Sequence, residues 1–313
     1  MITNQKTSYN FLSSVVNLIL GIKPLADFAK NQARETIIKR AEAIGVPWRK
    51  EVQILKSRNS DQEMSPEWEQ DLSAIVNPNL TYPEYYLTSF HAYEKGNLSW
   101  MAATEVEVAA YSVHAKIWGK EEIKTGDAQL RASYHQILTQ NITPPNRILD
   151  MGCSVGMSTF ALQEIYPKAE ITGLDLSPYF LAVANYKSQA KNSNIKWVHA
   201  AGENTGLPDN YFDLVSIFLV CHELPQKATI EILKEVKRIL KPGGYLGIMD
   251  MNPQSEPFMK MPPYIFTLLK STEPYLDEYF TLDIKQTLLD VGFNQVTITP
   301  NSPRHRTIIS KSE

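Results

Sequence analysis

Apolar residues recur along this chain in two rhythms, and the change from one to the other divides it. In residues 25–44, Leu25, Phe28, Ile37, Ala41 and Ile44 follow a helical face, with Lys30, Arg34, Lys39 and Arg40 among them. Gly45 and Pro47 close that helix. Residues 57–81 read as loop with a short helix, 82–100 as a stretch dense in Tyr, and 101–118 and 128–140 as two further helices. Beyond about residue 141 short apolar runs take over: RILDM, EITGLDL, IKWVHA, FDLVSIFLV and YLGIMD. They alternate with helical patterns at 156–166, 178–191 and 226–240, which predicts a parallel α/β sheet. FDLVSIFLV is almost wholly apolar after Asp213, as a central strand covered on both faces requires. Residues 253–282 form an insertion rich in Pro and aromatics, Gly292 closes a last helix, and QVTITP and RTIIS end the chain as a strand pair. The organisation expected is a mostly helical N-terminal extension and cap over 1–140. An α/β domain follows over 141–313, with 253–282 as a cap insertion.

Composition narrows the class of protein. With 43% hydrophobic residues in 313, a sizeable core can be buried. A net charge of −3 argues against an electrostatic grip on nucleic acid. The two cysteines, Cys153 and Cys221, supply no disulfide framework and suit a reducing, cytoplasmic compartment. No apolar run approaches the roughly 20 residues of a membrane-spanning helix. FLSSVVNLILGI, 11–22, has the outline of a signal-peptide core, but only Lys6 precedes it and a helical pattern follows, so retention is expected. An apolar patch followed by Lys and Arg makes peripheral membrane contact through 11–50 the alternative to simple helix packing.

The stretch LDMGCSVGMS, 149–158, carries the chemistry. Gly152, Ser154 and Gly156 match the G-x-S-x-G elbow of serine hydrolases. No convincing strands precede residue 147, no His-Gly pair occurs upstream, and a hydrolase gives no reason for Asp150. A glycine turn between a first strand and a first helix instead lets backbone approach a cofactor closely. A nicotinamide dinucleotide would need a third glycine where Met157 stands, and Asp150 would repel its pyrophosphate. A carboxylate there suits a cation, either an ammonium or a sulfonium. Asp175 ends the second strand, where ribose hydroxyls are commonly held.

This loop, with GLDLS, LPDNYFDLV and LKPGGYLGIMD at the expected spacing, resembles the motifs of class I S-adenosylmethionine-dependent methyltransferases. The nearest resemblance is to small-molecule C- or O-methylating enzymes of the quinone and sterol group. It covers about 140–252 firmly and 253–313 loosely. It implies a Rossmann-like, doubly wound, seven-stranded α/β sheet carrying the helical N-terminal extension. It also implies S-adenosylmethionine as cofactor. Gly152, Cys153, Ser154 and Gly156 would line the methionine part and ribose, with Asp150 orienting the loop. Asp175 would accept from the ribose hydroxyls, Leu176 would flank adenine, and Gly202 and Glu203 would lie at the adenine edge, with Leu219 ending the fourth strand nearby. Two departures stand out: Ser154 replaces the usual middle glycine, and Ala201 stands where many relatives have an adenine-binding Asp.

Methyl transfer from a sulfonium needs alignment, exclusion of water and sometimes removal of a proton. His222, in LVCHELP, is the candidate general base, because its intrinsic pKa is near neutrality, and Glu223 is the candidate to orient it or act instead. No metal is implied, since Val220 and Cys221 stand where catechol-type relatives place an Asp. Tyr85, Tyr86, His91, Tyr93, Trp100 and Tyr264 are the expected lining of an apolar acceptor pocket. Their competing reading is glue between the N-terminal helices and the sheet. Arg304 and Arg306, in SPRHRT, belong to a solvated turn or bind an acidic acceptor. The function expected is methylation of a small, apolar or ring-containing acceptor. The alternatives are a non-catalytic cofactor-binding module and a nicotinamide-dependent oxidoreductase.

Overall fold

The computed structural model describes residues 23–58, 60–89, 93–119, 125–270 and 272–313. The apolar stretch 11–22 and His91 lie outside the described residues.

Seven strands form one sheet: β1 (Arg147–Met151), β2 (Glu170–Asp175), β3 (Lys196–His199), β4 (Phe212–Phe218), β5 (Leu240–Met251), β6 (Phe293–Pro300) and β7 (His305–Ser312). Their order is β3-β2-β1-β4-β5-β7-β6. β1 to β5 run parallel, and β7 slots antiparallel between β5 and β6. The order reverses between β1 and β4, so the crevice at their carboxyl ends is the place where open α/β sheets bind ligands.

Helices cover both faces. On one, α8 (Gln226–Ile239) and α12 (Ile284–Val291) bury Leu233, Val236 and Leu288 against Leu149, Val215, Ile217 and Ile248. On the other, α5 (Gly126–Asn141) and α6 (Met157–Ile165) bury Leu130, Tyr134, Leu138 and Leu162 against Ile148 and Leu214. The alternation of inward residues along β4 thus serves two cores, which is why the strand is apolar almost throughout. Ser216 is polar within the buried run, and its hydroxyl meets that of Tyr134 at 2.9 Å.

The N-terminal segment supplies α1 (Lys23–Ala43), α2 (Trp48–Ser57), α3 (Glu67–Ile75) and α4 (Trp100–His114). α4 starts where the Ser99 side chain accepts from Ala102 N, an ordinary N-cap. α3 and α4 pack on α7 (Pro178–Ala190), joining Trp68, Ala102 and Ala103 to Phe180, Val183 and Val155. Val155 belongs to the glycine loop, so the N-terminal helices clamp that loop directly. The insertion carries α9 (Glu256–Met259), α10 (Pro263–Lys270) and α11 (Leu276–Thr281). No helix among the described residues is long and apolar enough to cross a membrane.

Candidate active site

The loop after β1 is built from left-handed backbone. Gly152, Ser154 and Gly156 have φ of +73°, +50° and +86°. A Cβ at Gly152 would sit 2.6 Å from Val220 Cγ2, and one at Gly156 would sit 2.8 Å from the Trp197 ring. Both glycines are therefore demanded by conformation and by space. Ser154 carries a Cβ in the same region, which costs about 1 kcal/mol. Its backbone N–H donates to Asp175 Oδ2 at 2.7 Å, a charge-assisted bond that offsets the cost. The Ser154 hydroxyl is buried and without a hydrogen-bond partner. No histidine reaches it among the described residues, so the elbow reading has no base to activate it.

Three acids stand near the carboxyl ends of β1, β2 and β3. Asp150 is fully buried; Oδ2 accepts from Ser158 at 2.7 Å and Thr159 at 2.6 Å, while Oδ1 has no partner. Asp175 accepts from Ser154 N and, through Oδ1, from Ser177 N at 2.8 Å. Burial raises both carboxyls to about 6, and in Asp150 the serine, threonine and Arg131 only partly counter it. Glu203 Oε1 accepts from the Tyr85 hydroxyl at 2.6 Å, and its Oε2 is buried and unpartnered.

The segment 77–88 closes over that edge. His199, at the end of β3, accepts at Nδ1 from Asn77 N at 2.8 Å. The proton therefore sits on Nε2, which faces Leu176 O at 3.1 Å and the Tyr82 hydroxyl at 3.2 Å. Tyr86 stacks on Tyr82 with ring centroids 6.3 Å apart, and it feels the charges of both Asp175 and Glu223. Tyr85 and Tyr86 thus lie between the ends of β2 and β4, against Glu203, Asp175 and Glu223.

At that end stands a histidine–aspartate pair. His222 Nδ1 lies 2.7 Å from Asp250 Oδ1, and His222 N donates to Asp250 Oδ2 at 3.2 Å. The pair is buried, His222 at 6% exposure and Asp250 at 0%. Burial pulls the imidazole down, but the Asp250 charge and hydrogen bond, with Glu273 and Glu223 adding, more than reverse this and hold it at about 10. One expectation is corrected here: the carboxylate hydrogen-bonded to His222 is Asp250, where the sequence offered its neighbour Glu223, and that bond shifts the imidazole upward from its ordinary value.

The remaining candidates sort by contact. Leu219 closes β4 with φ of +58°, its N–H donating to Met249 O at 2.8 Å. Leu176 is buried beside His199, and Gly202 lies against Ile232, 3.1 Å from where its Cβ would be. Cys153 is buried with its Sγ 3.1 Å from the position of a Cβ on Gly173, and burial pushes its thiol up, as befits filler rather than a nucleophile. Tyr264 is half-buried on α10. Tyr93 and Trp100 turn elsewhere. The Tyr93 hydroxyl donates to Glu105 at 3.0 Å, and Trp100 Nε1 donates to Glu69 at 2.9 Å while its ring packs edge-on against Tyr179. Their polar atoms are taken up by α3 and α4, and their rings pack in the cluster that joins those helices to α7. Among the described residues no cluster of three His, Cys, Asp or Glu could hold a metal. A groove of about 690 Å³ opens at the amino edge of the sheet, lined by Arg147, Glu170 and Lys191, and no residue of the glycine loop borders it.

The comparisons agree with this architecture. A family model described as a methyltransferase domain matches residues 148–244. The demethylmenaquinone methyltransferase of Staphylococcus epidermidis is 31% identical over 182 residues, which cover 52% of this chain and 74% of that protein. The fold is shared with a putative O-methyltransferase from Nostoc punctiforme, at TM-score 0.54 and 17% identity over 79% of this chain and 68% of that one. It is also shared with Haemonchus contortus phosphoethanolamine N-methyltransferase 2 in complex with S-adenosyl-L-methionine, at TM-score 0.52 and 14% identity over 76% and 61%. The chain belongs to the class I S-adenosylmethionine-dependent methyltransferases. Its cofactor is S-adenosylmethionine. The residues present fit that cofactor: Asp150 Oδ1, Glu203 Oε2 and Ser154 Oγ are buried polar atoms without partners, and an acidic wall suits a cation.

Proposed function

We propose that the chain methylates a ring-bearing, quinol-like acceptor, at carbon or oxygen, at a centre formed by His222 and Asp250. The observation that carries this is the 2.7 Å contact between those two residues, at the carboxyl ends of adjacent parallel strands beside the cofactor loop. The relative from Staphylococcus epidermidis, a demethylmenaquinone methyltransferase, supports an acceptor of this class.

In this reading Ser154, Asp175 and Glu203 hold the ribose and adenine, and Asp150 fixes the loop through Ser158 and Thr159. S-adenosylmethionine, when bound, supplies a methyl on a sulfonium whose sulfur leaves as a neutral thioether. Asp250 takes Nδ1 of His222, which leaves Nε2–H as the donor of a charged ring. That donor stabilises an ionised hydroxyl on the acceptor, whose proton is lost to solvent. An ionised ring hydroxyl makes both its oxygen and the adjacent ring carbon nucleophilic. Tyr85 and Tyr86 close over the pair and exclude water.

The test is incubation with methyl-labelled S-adenosylmethionine and 1,4-naphthoquinol, followed by mass spectrometry of the organic phase. A singly methylated naphthoquinol, absent with His222→Gln, is expected. Cofactor binding without methylation of this or other aromatic diols would overturn the reading.

A further inference from the structure

Gly173 on β2 and Trp197 on β3 stand directly across from each other in the parallel pair. The indole lies over the glycine: a Cβ on Gly173 would sit 2.4 Å from Trp197 Cζ3 and 2.6 Å from Cε3. Gly173 is not among the glycines with positive φ, so space alone excludes a side chain there. The same ring reaches the turn after β1, where Cη2 stands 2.8 Å from the Cβ position of Gly156. Phe160, on the first turn of α6, meets the indole edge-on with ring centroids 5.9 Å apart. One side chain thus fills the space between β2 and the rear of the glycine loop. Its Nε1 is buried and has no hydrogen-bond partner. A buried indole N–H usually finds one, and leaving it unmade is costly. What the residue contributes here is the reach of its ring, not its donor.

β2 couples this floor to the site. Leu174 O accepts from Gly152 N at 2.8 Å and from Cys153 N at 3.0 Å, and Asp175 accepts from Ser154 N at 2.7 Å. Those bonds hold the front of the loop to the strand. The rear is held differently: Gly156 N donates back to Cys153 O at 2.9 Å, and Gly156 itself rests on the indole and Phe160.

We propose that Trp197 is a positioning residue for the cofactor, its indole being the floor that fixes the turn 152–156 against β2; this rests on the reading of that turn and Asp175 as the cofactor site. Packed interiors close only partly around a lost ring and transmit the strain to their neighbours. Here the neighbour is the binding turn.

The test is isothermal titration of S-adenosylhomocysteine into the full chain and its variants. Trp197→Leu is expected to bind at least about tenfold more weakly than wild type. Trp197→Phe keeps a ring over Gly173 but is too short to seat Gly156, so its affinity should fall between the two; it stands in where the leucine variant does not fold. Gly173→Ala drives the indole away and should also weaken binding. Combined with Trp197→Leu the two volume changes oppose each other, and binding should be stronger than in Gly173→Ala alone. Leu288→Ala, in the core on the opposite face of the sheet, is the control for lost stability and should leave affinity within about twofold.

Wild-type affinity in Trp197→Leu, or in Trp197→Phe where the leucine variant does not fold, would overturn the inference. So would an equal loss in Leu288→Ala, or a double variant no stronger than Gly173→Ala. Loss of binding in Asp175→Ala with none in Trp197→Leu would leave the cofactor site standing and remove Trp197 from it. Unchanged binding in Asp175→Ala, or failure of the wild type to bind, would bring down the reading of the site and the inference together.

Discussion

The Tyr85 hydroxyl donates to Glu203 at 2.6 Å, tying the N-terminal segment to the loop after β3, the proposed adenine edge. Glu203 keeps one buried oxygen unpartnered, so the bond holds the cap and presents a carboxylate oxygen together. Tyr85→Phe removes a bond of about 0.5–1.5 kcal/mol. The expected result is a roughly 3- to 10-fold faster release of S-adenosylhomocysteine, read by stopped-flow tryptophan fluorescence, with little change in the methyl-transfer step. Unchanged release would separate the cap from cofactor retention.

If Asp150 and Asp175 face the sulfonium, as proposed, they set the pH dependence of cofactor binding. Burial raises each to about 6 in the free protein. A cationic ligand favours their ionised forms and pulls both down, so affinity is full above that value and weakens as pH falls through it. Titration calorimetry should show the dissociation constant of S-adenosylmethionine rising several-fold between pH 7 and 5. Neutral 5′-methylthioadenosine should change less. Equal slopes for the two would show that the carboxylates do not sense the sulfonium.

Gly152 and Val220 are paired by volume. Gly152→Ala meets Val220 Cγ2 at 2.6 Å and carries a side chain at φ of +73°. Together these should cost about 1–3 kcal/mol in urea unfolding. Val220→Ala in the same chain clears the clash but not the backbone strain, so it should restore part of the loss. Full restoration would assign the whole cost to packing, and none would assign it to backbone.

His222 makes the fold sensitive to alkali. Its folded pKa is raised to about 10 from an ordinary 6.5. Its contribution to stability is therefore complete below pH 6.5 and is lost progressively as pH rises through about 10. Unfolding free energy should fall over that window in the wild type and fall less in His222→Gln. Identical pH curves would show that the ring is not held charged.

Much of the fold was legible because the signals are local. The short apolar runs RILDM and FDLVSIF and the glycine turn at 152–156 state the parallel sheet, and Asp150 and Asp175 stand at their strand ends as expected. What the sequence hid is side-chain direction and pairing across long separations. Asp250 ends YLGIMD just as Asp150 ends RILD, a signal for a third acid at the same edge. Its pairing with His222, 28 residues away, exists only because β5 lies beside β4. Tyr93 and Trp100 sit in the same Tyr-rich stretch as Tyr85 and Tyr86, and composition alone could not divide them. Glu69 and Glu105 do so by capturing their polar atoms. Arg306 in SPRHRT reads as part of a solvated turn or as a binder of an acidic acceptor, and the antiparallel return of β7 is what buries it.

The central claim is that Asp250 holds His222 as a charged donor at the acceptor. The measurement that tests it most directly is the pH profile of kcat/KM with 1,4-naphthoquinol for wild type and Asp250→Asn, with S-adenosylhomocysteine affinity measured alongside. Wild type should lose activity on the alkaline side near pH 10. Asp250→Asn should lose it well below that pH, with kcat reduced about 10²- to 10⁴-fold and cofactor affinity retained. An alkaline limb that does not move when Asp250 is replaced would contradict the account.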